Sequence, residues 1–230
     1  MDNTVGSLTQ LQRAVIIGSL LGDGYMRIVS GRANALLEIN HCLAQKQYVN
    51  WKYNILKSIC RSGPIPRIGN GSRLAYRFTT KQHEELTFYH NMFYKNKKKH
   101  IPRNIKLDPM ILAVWYMDDG SKCRDRDVYI NTQQFDLEDQ KYCLSLLSEL
   151  GIEGSLNKDK IYWRIRIKKS SLPIFFALIS PHIIPSMMYK LSYDPVETCS
   201  ERSRVFAENA NANTPTPFSL KGEDIIRSSQ

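Results

Sequence analysis

Two aspartates that directly precede glycines are the residues of this sequence with the clearest capacity for chemistry. Asp23 lies near the end of the apolar segment Ile16–Gly24, and Asp119 lies near the end of the similar segment Leu112–Gly120. A carboxylate at the C-terminal end of a helix is disfavoured by the helix dipole, and a second carboxylate nearby adds repulsion. A divalent cation reverses both effects. The repeated segment therefore predicts a metal site to which each half of the chain contributes one aspartate.

The residue types around this site favour Mg²⁺. Oxygen ligands without neighbouring thiols or imidazoles are typical of Mg²⁺ rather than Zn²⁺. Metal ions held in this way can activate water and stabilise the leaving oxygen in phosphodiester hydrolysis. The competing interpretation is two unrelated turn aspartates, each followed by glycine. Repetition of the surrounding pattern in both halves of the chain disfavours it.

Helices are expected to carry both aspartates. Thr9 and Gln12 form the sequence pattern of a capping box at the start of the first helix, and Asp108-Pro109 is a strong start for the second. Gly18 and Gly22 are four residues apart on one face of the first helix. Small residues at this spacing allow a second helix to approach closely, which would bring the two carboxylates together.

The order of predicted elements repeats after each aspartate. Each half reads as helix, two strands, helix, two strands, helix. We predict strands at 25–30, 36–41, 73–80, 127–133 and 161–168, and helices at 11–21, 45–60, 84–93, 109–119, 136–150 and 171–179. This order indicates an α/β (α+β) fold of two pseudo-twofold-related αββαββα halves, each with a curved antiparallel sheet, packed through the two aspartate-bearing helices. The expected boundaries are 1–94, a basic linker 95–107, 108–195, and a polar tail 196–230.

The charge of the chain indicates an anionic partner. The net charge is +10 and the pI about 9.4, which is typical of nucleic-acid-binding proteins. The longest apolar run, Ala14–Leu21, is too short to cross a bilayer, so no membrane role is expected.

Basic residues are placed on the polar faces of the predicted strands. In the strand 161–168, we expect Ile161, Trp163, Ile165 and Ile167 to be buried. The alternating residues would then face outward, where arginine suits both guanine edges and phosphates. The candidate DNA-binding residues are Arg27, Arg73, Arg77, Lys122, Arg124, Arg126, Arg164, Arg166 and Lys168. The competing interpretation is a solvated polar strand face.

The segment Leu112–Gly120 resembles the motif of the LAGLIDADG homing endonucleases, and Ile16–Gly24 resembles a diverged copy of it. The resemblance is to the monomeric form with two motifs per chain, and it covers about residues 8–193. It implies that Asp23 and Asp119 bind metal, and we include the neighbouring Gly22 and Asp118 in the expected metal set. It also implies Mg²⁺ as the cofactor, with Mn²⁺ as a substitute.

Three further residues are assigned by the same resemblance. Lys99 and Lys190 stand in segments that resemble the places where this family carries its active-site lysines. A lysine near the scissile phosphate would stabilise developing charge or polarise the attacking water. The competing interpretation of Lys99 is an ordinary residue of a solvated basic run. Gln133 resembles the family's polar position beside the water pocket, whereas the first half has Asn40-His41-Cys42 there. The competing interpretation of Gln133 is an ordinary amide at the end of a strand.

The resemblance implies a monomeric endonuclease that cuts both strands of a long, nearly non-palindromic duplex and leaves short 3′ overhangs. It also implies an intron-encoded protein of a chloroplast, a mitochondrion or a prokaryotic cytoplasm, and we see no targeting segment. Two alternatives remain open. One is an RNA maturase that uses the same fold to assist a group I intron. The other is a DNA-binding regulator of the same fold without catalysis.

Overall fold

The computed structural model describes residues 7–69, 73–124 and 127–191. Three helices and four strands make up the first half of the chain, and a two-stranded ribbon follows them. In chain order these elements are α1 (Gln10–Leu21), β1 (Tyr25–Ile28), β2 (Ala35–Cys42), α2 (Lys46–Leu56), β3 (Ile65–Ile68), β4 (Leu74–Thr79), α3 (Glu84–Phe93), β5 (Tyr94–Lys95) and β6 (Lys98–Lys99).

The second half repeats the same order. Its elements are α4 (Pro109–Asp119), β7 (Gly120–Arg124), β8 (Asp127–Ile130), α5 (Leu137–Glu149), β9 (Gly154–Asp159), β10 (Tyr162–Ile167) and α6 (Leu172–Ile179). Residues Pro185–Lys190 form a short 3₁₀ segment after α6. The predicted tail, residues 196–230, lies outside the described residues, as does Arg126. None of the described helices is both long and apolar enough to cross a membrane.

Each half contains one four-stranded antiparallel sheet. The strand orders are β1-β2-β4-β3 and β7-β8-β10-β9, so the two sheets have the same topology. In both sheets the residue two positions after the aspartate pairs with the next strand, Tyr25 with Glu38 and Ser121 with Tyr129. The predicted α/β fold with two related halves is confirmed.

The caps predicted for the two motif helices are present. The Thr9 hydroxyl accepts the Gln12 N–H, and the Gln12 side chain accepts the Thr9 N–H, which completes the capping box. At the start of α4, the Asp108 carboxylate accepts the Ile111 N–H at 2.7 Å, and Pro109 occupies the first helical position. The sequence therefore fixes where both helices begin.

Helices α1 and α4 pack against each other through glycine. A Cβ added at Gly18 would lie 2.6 Å from Val114 Cβ and 2.8 Å from the Ile111 carbonyl oxygen. At Gly22 an added Cβ would lie 2.4 Å from the Cβ of Asp118. The two helices thus approach as closely as the glycine spacing predicts, and their C-terminal ends meet.

Gly18→Ala is expected to destabilise the fold. Alanine favours a helix over glycine by about 1 kcal/mol, but overpacking a tight interface typically costs about 1–3 kcal/mol and here involves backbone at Ile111. The Cβ of Val114 cannot rotate away, so we expect a net loss of about 1–2 kcal/mol. Chemical denaturation checks this value. Gly63→Ala is the control, because an added Cβ there meets only the Tyr53 ring at 3.9 Å. Equal stability of Gly18→Ala and wild type would contradict the packing.

One predicted apolar face is only half buried. Ile165 and Ile167 of β10 are fully buried, but Trp163 is 37% exposed and Ile161 is 79% exposed. The α5 side chain Leu144 covers the sheet at Gly154, which pairs with Ile167. The other end of the β9–β10 hairpin extends past this helix. The prediction that Ile161 and Trp163 are buried was therefore wrong, since alternation defines a face but not how far the helix covers it.

Candidate functional site

The two aspartates meet where α1 and α4 end. Asp23 follows Gly22, the residue that caps α1, and Asp119 is the last residue of α4. The Gln134 amide bridges the two segments: its Nε2 donates to the Gly22 carbonyl and to Asp119 Oδ2, both at 3.3 Å. The structure thus brings together two carboxylates that are far apart in the sequence.

Both carboxyl groups are harder to ionise than usual. Burial raises the pKa of Asp119 well above its ordinary value, and the charges of Asp23 and Asp118 raise it further. Burial and the charge of Asp118 also raise the pKa of Asp23. A bound cation would offset this repulsion between carboxylates, so its binding would be most favourable where the repulsion is strongest.

Two lysines make matching contacts on either side of the pair. Lys99 Nζ donates to the Gly22 carbonyl at 2.8 Å, and Lys190 Nζ donates to the Asp118 carbonyl at 2.8 Å. Each lysine therefore binds the residue that directly precedes one of the two aspartates. We call the place where Asp23, Asp119 and the main-chain oxygens of Gly22 and Asp118 meet the centre. Both predicted lysines lie at the centre, in positions related by the same pseudo-symmetry as Asp23 and Asp119.

The lysines reach the centre from different elements. Lys99 ends the ribbon β5–β6, and Lys190 ends the 3₁₀ segment, where the Tyr116 hydroxyl donates to its carbonyl at 2.9 Å. Burial lowers the pKa of Lys99 and of Lys190 to about 8, although the neighbouring carboxylates act in the opposite direction. Both ammonium groups are therefore cationic at neutral pH and become neutral as the pH rises through 8.

The oxygens at the centre suit a hard cation. Carboxylates of Asp23 and Asp119 lie beside the main-chain oxygens of Gly22 and Asp118, and Mg²⁺ is commonly held by one or two carboxylates with water and phosphate completing its shell. Among the described residues, no group of three or more His, Cys, Asp and Glu side chains could hold a metal. The donor set therefore fits Mg²⁺ shared with a phosphate, and it does not fit zinc.

The side chain of Asp118 is not available as the metal ligand that we expected. Its carboxylate is fully buried and is bound by Lys52 Nζ at 2.8 and 3.0 Å and by the Tyr48 hydroxyl at 2.8 Å. Only its main-chain oxygen faces Lys190. Sequence reasoning missed Lys52 and Tyr48, although a lysine on the apolar stripe of α2 was a usable signal.

Gln133 does not reach the aspartates. Its amide donates to Asp159 Oδ2 at 3.3 Å, whereas the next residue, Gln134, contacts Gly22, Asp119 and Lys99. Here the sequence-based position is one residue away from the amide that touches the centre. The conformation of the turn after β8 determines which of the two amides points towards the aspartates. No residue pattern in the sequence predicts that conformation.

The first-half arginines lie on the sheet face opposite to the buried core. In β4, Tyr76 and Phe78 are buried and Arg77 alternates with them. Arg77 and Arg27 both approach Glu38, at 3.3 and 4.0 Å. Arg73 is exposed just before β4. Such partly exposed ion pairs are weak, so these arginines can exchange Glu38 for another anion.

The second half shows the same arrangement with other partners. The Arg164 guanidinium lies 3.9 Å from the centre of the Tyr129 ring, and its neighbours on the chain, Ile165 and Trp163, point to the other face. Arg166 pairs with Asp127, and Lys168 pairs with Glu153 at 2.9 Å. The ammonium of Lys122 donates to the Leu191 carbonyl at 3.0 Å. For Arg124 the structure describes the backbone of β7 but not the side chain.

Asp119→Asn is expected to stabilise the metal-free protein. Because folding raises the pKa of Asp119, the free energy of unfolding falls as the pH rises from about 3.8 through that raised pKa. At pH 7 the variant lacks this penalty, and each kcal/mol corresponds to about 2–4 °C in Tm for a chain of this size. Calorimetry in EDTA and in Mg²⁺ tests this expectation. In EDTA, Asp119→Asn should have a higher Tm than the wild type, and addition of Mg²⁺ should raise its Tm by less. A Tm below that of the wild type in EDTA would contradict the repulsion between the carboxylates.

The sequence is similar to those of an endonuclease and a maturase. The sequence is 29% identical to the DNA endonuclease I-ChuI of Chlamydomonas applanata over 210 residues, which cover 81% of this chain and 96% of the relative. It is 28% identical over 210 residues to the cytochrome b mRNA maturase bI2 of Saccharomyces cerevisiae, covering 83% of this chain. The chain spans only about half of that maturase, 49%.

A solved structure shows a similar fold. The homing endonuclease I-WcaI bound to its DNA recognition sequence superposes with a TM-score of 0.75 at 25% identity, covering 82% of this chain and 89% of that chain. The model of the LAGLIDADG DNA endonuclease family matches residues 13–175, a range that contains both aspartate segments. The resemblance inferred from the two motifs is thereby confirmed, and the chain belongs to the LAGLIDADG DNA endonuclease family.

Proposed function

We propose that this protein is a monomeric, site-specific homing endonuclease that hydrolyses both strands of a long, nearly non-palindromic DNA duplex. The observation that carries the proposal is the paired set of Asp23 with Lys99 and Asp119 with Lys190. Each set joins a carboxylate to a lysine that binds the residue before it. Two such sets about one pseudo-twofold axis suit the two antiparallel strands of a duplex.

The chain's own groups have separable roles in this mechanism. Asp23 and Asp119 would hold Mg²⁺ with the carbonyl oxygens of Gly22 and Asp118. A bound divalent metal supplies an activated water and stabilises the leaving oxygen. The ammonium groups of Lys99 and Lys190 place positive charge where a scissile phosphate gains negative charge in the transition state. The Gln134 amide, which touches both carboxylate-bearing segments, orders the polar groups between the two sets.

The sheets would hold the duplex. Arg164 stands on the face of the second sheet that lies opposite its buried residues, and Arg77 stands on the corresponding face of the first. Strands laid in a major groove can read base edges there, while the same side chains also neutralise phosphates. The net charge of +10 is consistent with a polyanionic partner.

The proposal is tested without knowledge of the natural target. Duplexes from a randomised library are selected for binding to the protein in EDTA, and the enriched sequence is called the selected duplex. It is then incubated with the protein and Mg²⁺, with each strand labelled separately. We expect metal-dependent cleavage of both strands at staggered positions that leave short 3′ overhangs, with Mn²⁺ as a substitute. A selected duplex that stays intact in both metals refutes the proposal.

Arg164→Ala is expected to weaken binding to the selected duplex by about 1–3 kcal/mol and to relax preference at one or two base pairs. The Tyr129 ring already orders this guanidinium, so little entropy is lost when it binds a base. Binding to single-base variants at two salt concentrations provides the measurement. Arg13→Ala is the control, since Arg13 pairs with Glu85 on α3. If the variant binds all single-base variants more weakly by the same factor, and its affinity depends less steeply on salt concentration, Arg164 contacts a phosphate instead of a base.

The second candidate function is assistance of group I intron splicing as an RNA maturase. It is favoured by the similarity to the yeast maturase, which is named for that activity. A splicing assay with the intron that contains this reading frame distinguishes it, because a maturase accelerates splicing even when Asp119 is replaced by asparagine. A regulator without catalysis is disfavoured by the retention of both aspartates and both lysines. Encoding by an organelle intron, in a chloroplast or a mitochondrion, remains part of the proposal.

A further inference from the structure

A buried ionic network lies directly beneath Asp23. The Asp118 carboxylate binds Lys52 Nζ, the Tyr48 hydroxyl and the main-chain N–H of Asp23, the last at 3.2 Å. Lys52 and the Asp118 side chain are both fully buried. The ammonium also lies 4.5 Å from the centre of the Tyr48 ring, which gives the cation a second partner. A buried charge pair with this many partners holds its groups in one geometry.

Within the part of the chain that the structure describes, this network occurs on one side of the pseudo-twofold axis only. Gly22 precedes Asp23 as Asp118 precedes Asp119. Lys52 lies six residues after the start of α2, and Cys143 lies six residues after the start of α5. The buried stripes of the two helices coincide at this alignment: Tyr48, Val49, Lys52 and Leu56 correspond to Asp139, Gln140, Cys143 and Leu147. One side thus has a buried carboxylate and ammonium, and the other has glycine and cysteine.

Close helix packing explains why only one side carries the network. A Cβ added to Gly22 would lie 2.4 Å from the Cβ and 2.7 Å from the Oδ2 of Asp118. The interface therefore has room for one side chain at these two positions. Once Asp118 occupies it, its carboxylate needs a buried cation, and Lys52 supplies that charge from the first half.

The network acts on the backbone that carries Asp23. The N–H of Asp119 belongs to the regular hydrogen bonding of α4, but Asp23 lies beyond the end of α1. Its N–H is held by Asp118 instead, and the fully buried His41 ring stands 3.6 Å from its carboxylate. Asp23 thus depends on Asp118 for its position, whereas Asp119 is positioned by its own helix.

We propose that Asp118, Lys52 and Tyr48 form a network that positions Asp23. Because this network is present on one side only, Asp23 and Asp119 are held in different ways, and the two DNA strands are cut at different rates. The proposal rests on the proposed function. None of the three side chains touches substrate in this assignment. Asp118 holds the Asp23 N–H, Lys52 neutralises Asp118, and Tyr48 fixes the carboxylate from the opposite side.

The test uses a double variant, Asp118→Ala/Lys52→Met, because removing one partner alone would leave a buried unpaired charge. Rates of cleavage are measured for each strand of the selected duplex. A misplaced reactive group can cost about 10²-fold, so we expect one strand to slow about 10- to 100-fold more than the other. Tyr48→Phe removes the hydroxyl's hydrogen bonds to Asp118 Oδ1 and to the Val114 carbonyl. It should change the ratio of the two strand rates in the same direction by less, and it remains informative if the double variant fails to fold.

Gln12→Leu is the matched control. The Gln12 amide joins the other end of α1 to Ile55 and Ser58, so its loss destabilises the same helix without contact to Asp23. We expect the control to leave the ratio of the two strand rates unchanged. An equal slowing of both strands in the double variant and in Tyr48→Phe, or an unchanged ratio, overturns the proposal.

A second measurement does not require cleavage. Hydrogen exchange of the Asp23 amide should accelerate in the double variant, while protection in the middle of α4 changes no more than in Gln12→Leu. If the wild type cuts neither strand, the proposed function fails, and the exchange result still decides whether Asp118 holds Asp23. Unchanged exchange at Asp23 would refute the positioning role even in a protein that cuts DNA.

Discussion

Asp23→Asn and Asp119→Asn should each abolish double-strand cleavage of the selected duplex while leaving its affinity in EDTA within a few-fold of wild type. Each substitution keeps the size of the side chain but removes a negative charge from the proposed metal site. Because folding raises the pKa of both carboxyl groups, an amide at either position is favoured over a carboxylate in the metal-free protein, but it attracts a cation far less. The measurements are a gel assay for linear product and an equilibrium binding assay.

Asp108→Asn is the matched control for these variants. It makes the same chemical change at the other end of α4, where Asp108 caps the helix, and asparagine caps about as well as aspartate. Cleavage at the wild-type rate is expected. Full cutting of both strands by either Asp23→Asn or Asp119→Asn would show that the carboxylates are structural. Loss of binding together with cutting would place them in DNA recognition.

Lys99→Met and Lys190→Met should each slow cleavage by about 10²–10³, the range typical of losing one preorganised electrostatic stabiliser. Each ammonium binds the carbonyl next to one aspartate, so the loss should affect one strand more than the other. Nicked DNA is then expected to accumulate before the linear product appears. Single-turnover reactions with separately labelled strands give the two rates directly.

The ribbon β5–β6 provides a control for the lysine variants. Lys98 precedes Lys99 on the same strand, is exposed, and lies 4.0 Å from Asp136 instead of at the centre. Lys98→Met removes the same charge from the same element and should leave the cleavage rate unchanged. Equal slowing by Lys98→Met and Lys99→Met would mean that general attraction for DNA, rather than contact with the centre, explains the effect.

Much of the fold could be predicted because its signals are local. The capping box at Thr9, the Asp108-Pro109 start and the spacing of Gly18 and Gly22 each depend on neighbouring residues, and all three behave as expected. Repetition of the same element order in both halves then implied a pseudo-twofold arrangement. Lys99 and Lys190 were placed by family resemblance, and both reach the centre in the structure.

The remaining features depend on contacts between distant segments. The pairing of Lys52 with Asp118 joins α2 to α4: the apolar stripe of α2 indicates that Lys52 is buried, but no local pattern indicates which residue it pairs with. The choice of Gln134 over Gln133 depends on the turn after β8. The exposure of Ile161 depends on where α5 stops covering the sheet. Sequence periodicity assigns faces, but it does not report where a neighbouring element ends.

The basic linker between the halves, residues 95–107, limits where the chain can be divided in protein engineering. Lys99 reaches Gly22 because the chain reverses at Asn96 and Lys97, which have φ values of 50° and 63°, in the left-handed region. The basic linker therefore does more than hold the two halves together, because it also carries Lys99 to the centre. If the two halves are expressed as separate polypeptides or exchanged with those of a relative, the break belongs after Arg103, so that the first half keeps its ammonium group. A break at Asn96, although it lies at an exposed turn, would separate that group from the aspartate it accompanies.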